Sequence, residues 1–113
     1  MGLTVTPRHL GSVLVIDMAG KVTMYEEGLR DCVRRSLDEG DRRFVLNLRD
    51  VTYMDSAGLG QLVRAYTTVI NAGGNLRLLL PGPRVRRLLE ITKLDSVFTI
   101  LESEDAIGGS TAA

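Results

Sequence analysis

The chain has 113 residues, which is enough for one domain with a modest core. Its 14 basic residues match 14 acidic ones, so no net charge attracts nucleic acid or an anionic membrane, and no apolar run is long enough for membrane insertion. The N-terminus does not have the pattern of a signal peptide, and the single cysteine, Cys32, cannot form an internal disulfide, which together predict a cytoplasmic protein.

The N-terminal segment predicts a β-hairpin. Residues 3–6 alternate apolar and polar side chains, and residues 13–18 are mostly β-branched and apolar. Gly11 lies between these two runs and suits the turn. We therefore expect an antiparallel pair of strands at the N-terminal end of a small mixed sheet.

The next segment predicts a helix with one apolar face. Glu26 and Glu27 suit the start of this helix, and Gly40 suits its end. The side chains of the apolar face recur at helical spacing, at Leu29, Cys32, Val33, Ser36 and Leu37. The thiol on this face is predicted to be a small buried group and not a reactive one.

A strand and a helix meet at the centre of the chain. Residues 42–48 predict the central strand, and residues 55–72 contain the second helix. Asp55 and Ser56 are both good N-cap residues for that helix. A serine hydroxyl is therefore expected at a strand–loop–helix junction, which is a usual place for a functional site in a parallel sheet.

The C-terminal third predicts the remainder of an α/β fold. Residues 76–80 form a buried strand that completes a right-handed βαβ unit with the central strand, and Pro83 suits the first turn of a third helix. Residues 97–101 are expected to form a short last strand and residues 102–107 a final helical turn or two. The segment 108–113 has nothing to bury and is expected to be a loose tail.

The sequence does not predict an enzyme. A nucleophile elbow needs glycine two positions before the serine, where this chain has Met54, and a triad would depend on the only histidine, His9. Gly58 and Gly60 are too close together for a phosphate-binding loop of the Walker type. One histidine and one cysteine do not make a metal centre. We expect no catalytic residue, no metal and no cofactor.

Two interpretations of Ser56 follow from its position. The serine can serve only as a helix cap, which is the commonest use of Asp-Ser before an apolar run. It can also be an accessible substrate, because the neighbouring Ala57, Gly58 and Gly60 are small and let another protein approach closely. A phosphate there adds roughly −1.5 to −2 charges, and the start of a helix tolerates them.

A basic cluster in the third helix raises the question of nucleic acid binding. Four cations lie close together in sequence, Arg84, Arg86, Arg87 and Lys93. Because the net charge is zero and aromatic residues are only 4% of the chain, a solvated helix face is the favoured interpretation.

The segment from Phe44 to Leu62 resembles the signature of the STAS domain, as found in bacterial anti-sigma factor antagonists. The signature is an apolar strand, a polar break, an apolar-aromatic stretch and Asp-Ser-x-Gly-Leu, which here reads Asp55-Ser56-Ala57-Gly58-Leu59. The resemblance extends over residues 3–107. It implies an α/β fold with a small mixed sheet and packed helices, in a single STAS-like domain over residues 1–113 that is ordered over about 3–107.

The resemblance also implies a function in transcription regulation by partner switching. Family members bind an anti-sigma factor that is itself a serine kinase, and this kinase phosphorylates the serine of the motif with the ATP that it holds. Carried over, Ser56 is the phosphoacceptor, a serine phosphatase reverses the modification, and the chain needs no cofactor of its own. The implied partner-binding residues are Thr23, Asp55, Ser56, Ala57, Gly58 and Leu59.

This chain departs from the family pattern at two places. Many members have Gly-Glu-Leu/Ile-Asp where this chain has Gly20-Lys21-Val22-Thr23, and a frequent strand-ending aspartate is Asn47 here. Both changes remove acidic side chains, so partner choice stays open. Two alternative functions stay open as well. One is a scaffold or regulatory STAS subunit of a larger signalling or transport assembly, and the other is a small-ligand or nucleotide-binding module.

Overall fold

A computed structural model of the chain describes residues 2–24 and 26–109. The strands are β1 (Leu3–Leu10), β2 (Val13–Val22), β3 (Arg43–Met54), β4 (Asn75–Leu79) and β5 (Ile100–Leu101). The helices are α1 (Gly28–Asp38), α2 (Ser56–Asn71), α3 (Pro83–Ile91) and α4 (Asp105–Gly109), and a 3-10 turn (Leu94–Ser96) follows α3. Within these residues, no helix is both long and apolar enough to cross a membrane.

The strands form one mixed sheet in the order β1-β2-β3-β4-β5. β1 pairs with β2 antiparallel, and the other pairs are parallel. The predicted α/β fold with a mixed sheet and an N-terminal antiparallel pair is therefore confirmed. Gly11 forms the hairpin turn with φ of 61°, which favours glycine. The hairpin strands are longer than predicted, because β1 continues through Pro7 at the edge of the sheet, where proline is tolerated.

The sheet has a core on each face. Apolar side chains from α1, α2 and α3 pack on one face, around the fully buried Phe44, Leu46 and Leu62. A smaller cluster covers the other face, where Ile107 of α4 meets Val13, Val15, Val45, Leu79 and Leu101. The helices on the larger core fix where the start of α2 lies.

The apolar face of α1 is buried as predicted. Cys32 is 7% exposed, and burial raises the pKa of its thiol although a hydrogen bond with Ser36 opposes this. The thiol is therefore protonated at neutral pH and packs as a small apolar group. At the end of the helix, Gly40 has φ of 102°, a conformation that glycine adopts without strain.

β3 is longer than the sequence predicted. The prediction ended this strand at Leu48 and placed a loop before the helix, but β3 continues to Met54. It stays paired with β2 because it bulges twice, between the partners of Asp17 and Ala19 and between those of Gly20 and Lys21. These bulges accommodate a segment whose polar residues break the simple alternation of a strand. The strand therefore leads almost directly into α2.

The C-terminal part also differs from the prediction. The strand expected over residues 97–101 contains only Ile100 and Leu101, because the N–H groups of Val97 and Phe98 donate to the Leu94 carbonyl of the preceding 3-10 turn. Val97 is 46% exposed. The final helix is α4, which includes Gly108 and Gly109 of the predicted tail. The rest of that tail lies outside the described residues.

A polar network holds the edge strand β1 to the centre of the sheet. Arg8 donates to Asp17 with an N–O distance of 2.6 Å, and the Asn47 amide donates to Asp17 at 2.8 Å. Burial alone would raise the pKa of Asp17, but the bonds from Arg8 and Asn47 outweigh it and hold that pKa below its usual value. Asn47 is 8% exposed, and its amide supplies a donor at a position where a second carboxylate would meet Asp17.

We expect Asn47→Asp to destabilise the fold at neutral pH by roughly 1–3 kcal/mol, because it places a buried carboxylate beside Asp17. The repulsion raises the folded-state pKa of the introduced carboxyl group above its unfolded value near 3.9. The loss should therefore be full at pH 7 and shrink as the pH falls below that raised pKa, measured by thermal melts against the wild type at each pH.

The swapped double variant Asp17→Asn/Asn47→Asp is the matched control, because it keeps one carboxylate and one amide at the pair. It should recover most of the stability lost by Asn47→Asp at pH 7. Asp17→Asn alone measures the cost of losing the ion pair with Arg8. If the losses of the two single variants simply add in the double variant, repulsion between the two carboxylates is not the cause.

Candidate functional site

The candidate site lies where β3 passes into α2. Asp55 is the single residue between them, with an extended backbone (φ −104°, ψ −174°). Its Oδ1 accepts a hydrogen bond from the Gly58 N–H at 2.8 Å, and its carbonyl accepts from the Leu59 N–H at 2.8 Å. Of the two predicted cap residues, Asp55 is therefore the one that caps α2.

Ser56 is the first residue of α2 and its side chain is exposed. Within the described residues its hydroxyl makes no hydrogen bond, and the side-chain cap of α2 comes from Asp55 instead. The hydroxyl is exposed at the positive end of the helix dipole.

Gly58 fixes how closely α2 approaches the sheet. A Cβ built at this position would overlap the Val22 carbonyl oxygen and lie 2.7 Å from the carbonyl carbon. Val22 pairs with Met54 in the sheet, so the ends of β2 and β3 and the first turn of α2 meet at this point. Only glycine permits this contact without a shift of the backbone.

A side chain from α2 ties the segment after β2 to the site. The Gln61 amide donates to the Thr23 carbonyl, and Gln61 is itself buried. Thr23 follows Val22 directly, so the hydrogen bond holds it beside the start of the helix. The sequence analysis did not identify Gln61. The sequence feature that could have identified Gln61 is its position as a polar residue on the apolar face of α2, directly before the fully buried Leu62.

The predicted partner-binding residues lie together but differ in exposure. Ser56 is exposed, and Thr23, Asp55 and Ala57 are partly exposed. Gly58 and Leu59 are buried, so their predicted contribution to partner binding would act through the position of the helix start. The direct contact surface would come from the exposed members.

Two large apolar side chains are exposed at the same end of the sheet. Met24 is 64% exposed, and Tyr53 of β3 is 39% exposed. The Tyr53 side chain is exposed although Val51, two residues before it, is buried, because the second bulge of β3 lies between them. Beside Met24, a cleft of about 480 Å³ runs between α1 and α2, and Gln61 forms part of its wall. The surface around Ser56 thus combines small, apolar and polar groups.

The described residues around Ser56 do not form a catalytic constellation. His9 pairs with Leu14 near the beginning of β2 and contacts Asp41 at 2.9 Å, whereas Ser56 follows the far end of β3. The two side chains therefore lie at opposite ends of the sheet. Within the described part of the chain, no three acidic, histidine or cysteine side chains are grouped to hold a metal ion.

Because Asp55 makes the cap bond and Ser56 does not, we expect alanine at the two positions to have different effects. Asp55→Ala should lower the free energy of unfolding by about 0.5–2 kcal/mol, and Ser56→Ala should change it little. Urea denaturation of the two variants measures both values. Equal losses would assign a share of the cap to Ser56.

Two glycines in the first turns of α2 provide a matched pair of alanine substitutions. Gly58→Ala should destabilise the fold and shift the start of the helix, because its methyl group meets the Val22 backbone. At Gly60 a Cβ has the Arg64 side chain 3.6 Å away as its nearest neighbour, so Gly60→Ala should stabilise by about 0.4–1 kcal/mol. Thermal melts compare them, and a harmless Gly58→Ala would contradict the close approach.

Comparison with known proteins agrees with this geometry. The family model of the STAS domain matches residues 4–107. The anti-sigma-B factor antagonist of Bacillus subtilis is 32% identical over 102 residues, which cover 88% of this chain and 92% of that protein.

Solved structures share the fold. An anti-sigma factor antagonist from Mycobacterium paratuberculosis superposes with a TM-score of 0.85 at 21% identity, over 99% of this chain and 96% of that one. The Bacillus cell fate determinant SpoIIAA in its phosphorylated form superposes with a TM-score of 0.72 at 20% identity, over 93% of this chain and 97% of that one. With the family model matching nearly all of the described residues, the chain belongs to the STAS domain family.

Proposed function

We propose that this protein is an anti-sigma factor antagonist whose binding to an anti-sigma factor serine kinase is switched by phosphorylation of Ser56. The observation that carries the proposal is the division of roles between two adjacent residues. Asp55 caps α2, and this leaves the Ser56 hydroxyl exposed and without a hydrogen bond to the described residues. The similarity to the Bacillus subtilis anti-sigma-B factor antagonist supports the choice of partner.

A phosphate at Ser56 is compatible with the fold. The hydroxyl lies at the start of a 16-residue helix, where unpaired backbone N–H groups and the dipole favour negative charge. The cap bond between Asp55 and Gly58 does not involve the serine and can persist. Phosphorylation therefore changes the surface of the domain and leaves its core as it is.

The same phosphate would oppose a closely packed partner. The unmodified surface at Ser56 is small and neutral apart from Asp55, so a partner can approach the first turn of α2. Phosphorylation adds roughly −1.5 to −2 charges there. A partner that packs on this surface would then bury charge beside the Asp55 carboxylate without compensation, which weakens binding.

The chemical step needs nothing from this chain beyond the hydroxyl. Ser56 Oγ attacks the γ-phosphorus of ATP held by the kinase, the bond to the β-phosphate oxygen breaks, and ADP leaves. A base of the kinase accepts the hydroxyl proton. A serine phosphatase restores the hydroxyl by transferring the phosphoryl group to water. The chain itself is proposed to have no enzymatic activity and to act in the cytoplasm of a bacterium.

The site of modification can be tested by mass spectrometry after reaction with candidate kinases from the same genome and ATP. We expect the phosphate on Ser56. Two other hydroxyls serve as internal controls, because Ser36 is buried in α1 and Thr52 donates to the Gly20 carbonyl. Phosphate on either control residue with Ser56 unmodified would overturn the assignment.

The switch itself can be tested with two substitutions at Ser56. Ser56→Ala keeps a small neutral surface and should bind the kinase like the unmodified protein. Ser56→Asp places a charge in the contact and should weaken binding by at least about thirtyfold, since such a charge costs roughly 2 kcal/mol or more. Titration calorimetry measures both affinities, with thermal melts as the folding control.

If both Ser56 variants fold and bind the kinase with equal affinity, the proposed switch at Ser56 is wrong. The function would then be that of a scaffold or regulatory STAS subunit in a larger assembly, and the same calorimetry would report a stable complex that does not respond to charge at Ser56. The third alternative, a small-ligand or nucleotide-binding module, would be indicated by nucleotide affinity of the chain without a partner.

A further inference from the structure

Arg77 is a buried cation without a partner among the described residues. It lies in the middle of β4, is 8% exposed, and its Nε, Nη1 and Nη2 are shielded from water. None of these nitrogens has a hydrogen-bond partner in the described part of the chain. A guanidinium stays protonated in proteins, so its five donors and its charge are left uncompensated. A buried unsatisfied group of this kind needs an explanation, and a bound ion is one.

The charged neighbour of Arg77 is a second arginine. Arg43 pairs with Asn75 in the sheet and lies on the same face as Arg77, two residues away along the strands. Burial lowers the pKa of Arg77, and the charge of Arg43 lowers it further. Within the described residues, neither arginine takes part in an ion pair, and Arg43 only donates to Ser12 Oγ at 2.6 Å. The two positive charges therefore lack a counter-anion in the part of the chain that the structure describes.

Both arginines form the wall of a cavity of about 350 Å³. The cavity is at the free edge of β4, because β5 pairs only with Leu78 and Leu79 and leaves the beginning of β4 uncovered. The remaining wall residues are polar or apolar and carry no charge, namely Tyr66, Ile70, Asn75, Leu76, Val97 and Thr99. Ile70 and Val97 are 42% and 46% exposed, so the apolar side of the cavity opens to solvent.

We propose that this cavity binds a small amphipathic anion. Its carboxylate or phosphate group contacts Arg77 and Arg43, which lie on the same face of the sheet as Val45. Its apolar body passes the free edge of β4 and lies against Ile70 and Val97, because α2 packs on the opposite face. Planar guanidinium groups bind either oxyanion in a bidentate manner, and the volume is that of a small-molecule site. Because the Arg77 nitrogens are shielded, the anion reaches them only when a side chain of the cavity wall moves. The wall segment proposed to move is residues 97–99, because it lies outside the helices and the paired strands.

This site is separate from Ser56. Arg43 begins β3 and Asn75 begins β4, whereas Ser56 follows the opposite end of β3. An anion can therefore bind at one end of the sheet without contact with a partner at the other. The proposal does not depend on the switch at Ser56, and the two can fail independently.

Titration of the 15N-labelled full chain tests the proposal with phenyl phosphate, benzoate, inorganic phosphate and the neutral analogue benzyl alcohol. We expect phenyl phosphate, benzoate or both to cause saturable shifts in the amide signals of residues 75–77 and 97–99. The relative affinities of these two anions identify the preferred acid group. Inorganic phosphate should bind more weakly than the preferred organic anion because it has no apolar body, and benzyl alcohol should not saturate.

Arginine substitutions assign the contacts. Arg77→Met and Arg43→Met should each weaken binding of the organic anion by at least about tenfold, since a hydrogen bond to a charged group is lost. Arg87→Met is the matched control, because Arg87 belongs to α3 and lies outside the cavity, so its loss should not change the affinity. Arg77→Lys keeps the charge without the planar fork and should bind with an intermediate affinity.

Several results would overturn the proposal. One is the absence of saturable shifts with both organic anions, and another is saturation by benzyl alcohol with similar affinity. A third is unchanged affinity in Arg77→Lys and Arg43→Met, which decides the matter even where Arg77→Met does not fold. Shifts confined to the Ser56 region would also count against it.

Discussion

The pairing of β2 with β3 along their full lengths is the constraint on which the rest of the structure depends. It brings Val22 beside Met54 at one end of the sheet, so that the segments after both strands emerge together. Two bulges in β3 keep this register through a polar sequence. Gly58 lets α2 pack closely on the backbone of Val22, and the Gln61 amide donates to the Thr23 carbonyl. The position of Ser56 is a consequence of these contacts.

The start of α2 assigns the helix cap and the exposed hydroxyl to two different residues. A serine that capped its own helix would exchange its cap bond for a phosphate, and modification would disturb the fold. Here the bond belongs to Asp55, whose carboxylate is held by the Gly58 N–H. The adjacent hydroxyl can therefore change its charge while the helix keeps its cap. Gly58 also contributes, because it sets how closely the first turn of α2 approaches the backbone of Val22.

Two charged side chains of the sheet, Asp17 and Arg77, differ in whether they have hydrogen-bond partners among the described residues. Asp17 has two donors, Arg8 and Asn47, and the amide at position 47 completes the network where a carboxylate would disturb it. The departure from the family pattern at this position thus has a local structural reason. Arg77, in β4, has no such compensation among the described residues. The contrast shows that the fold can satisfy a partly buried charge when the partners are present.

The sequence by itself determined the α/β class, the hairpin turn at Gly11, the buried face of α1 and the placement of Ser56 at a helix start, because these depend on local periodicity and turn chemistry. Only the tertiary structure decided that β3 continues to Met54, since the bulges exist through pairing with a distant strand. It also decided that Asp55 and not Ser56 is the cap, because both residue types accept the same hydrogen bond and backbone geometry selects between them. Arg77 looked like an ordinary strand residue in sequence, and its lack of a partner among the described residues follows from which side chains the folded sheet brings near it.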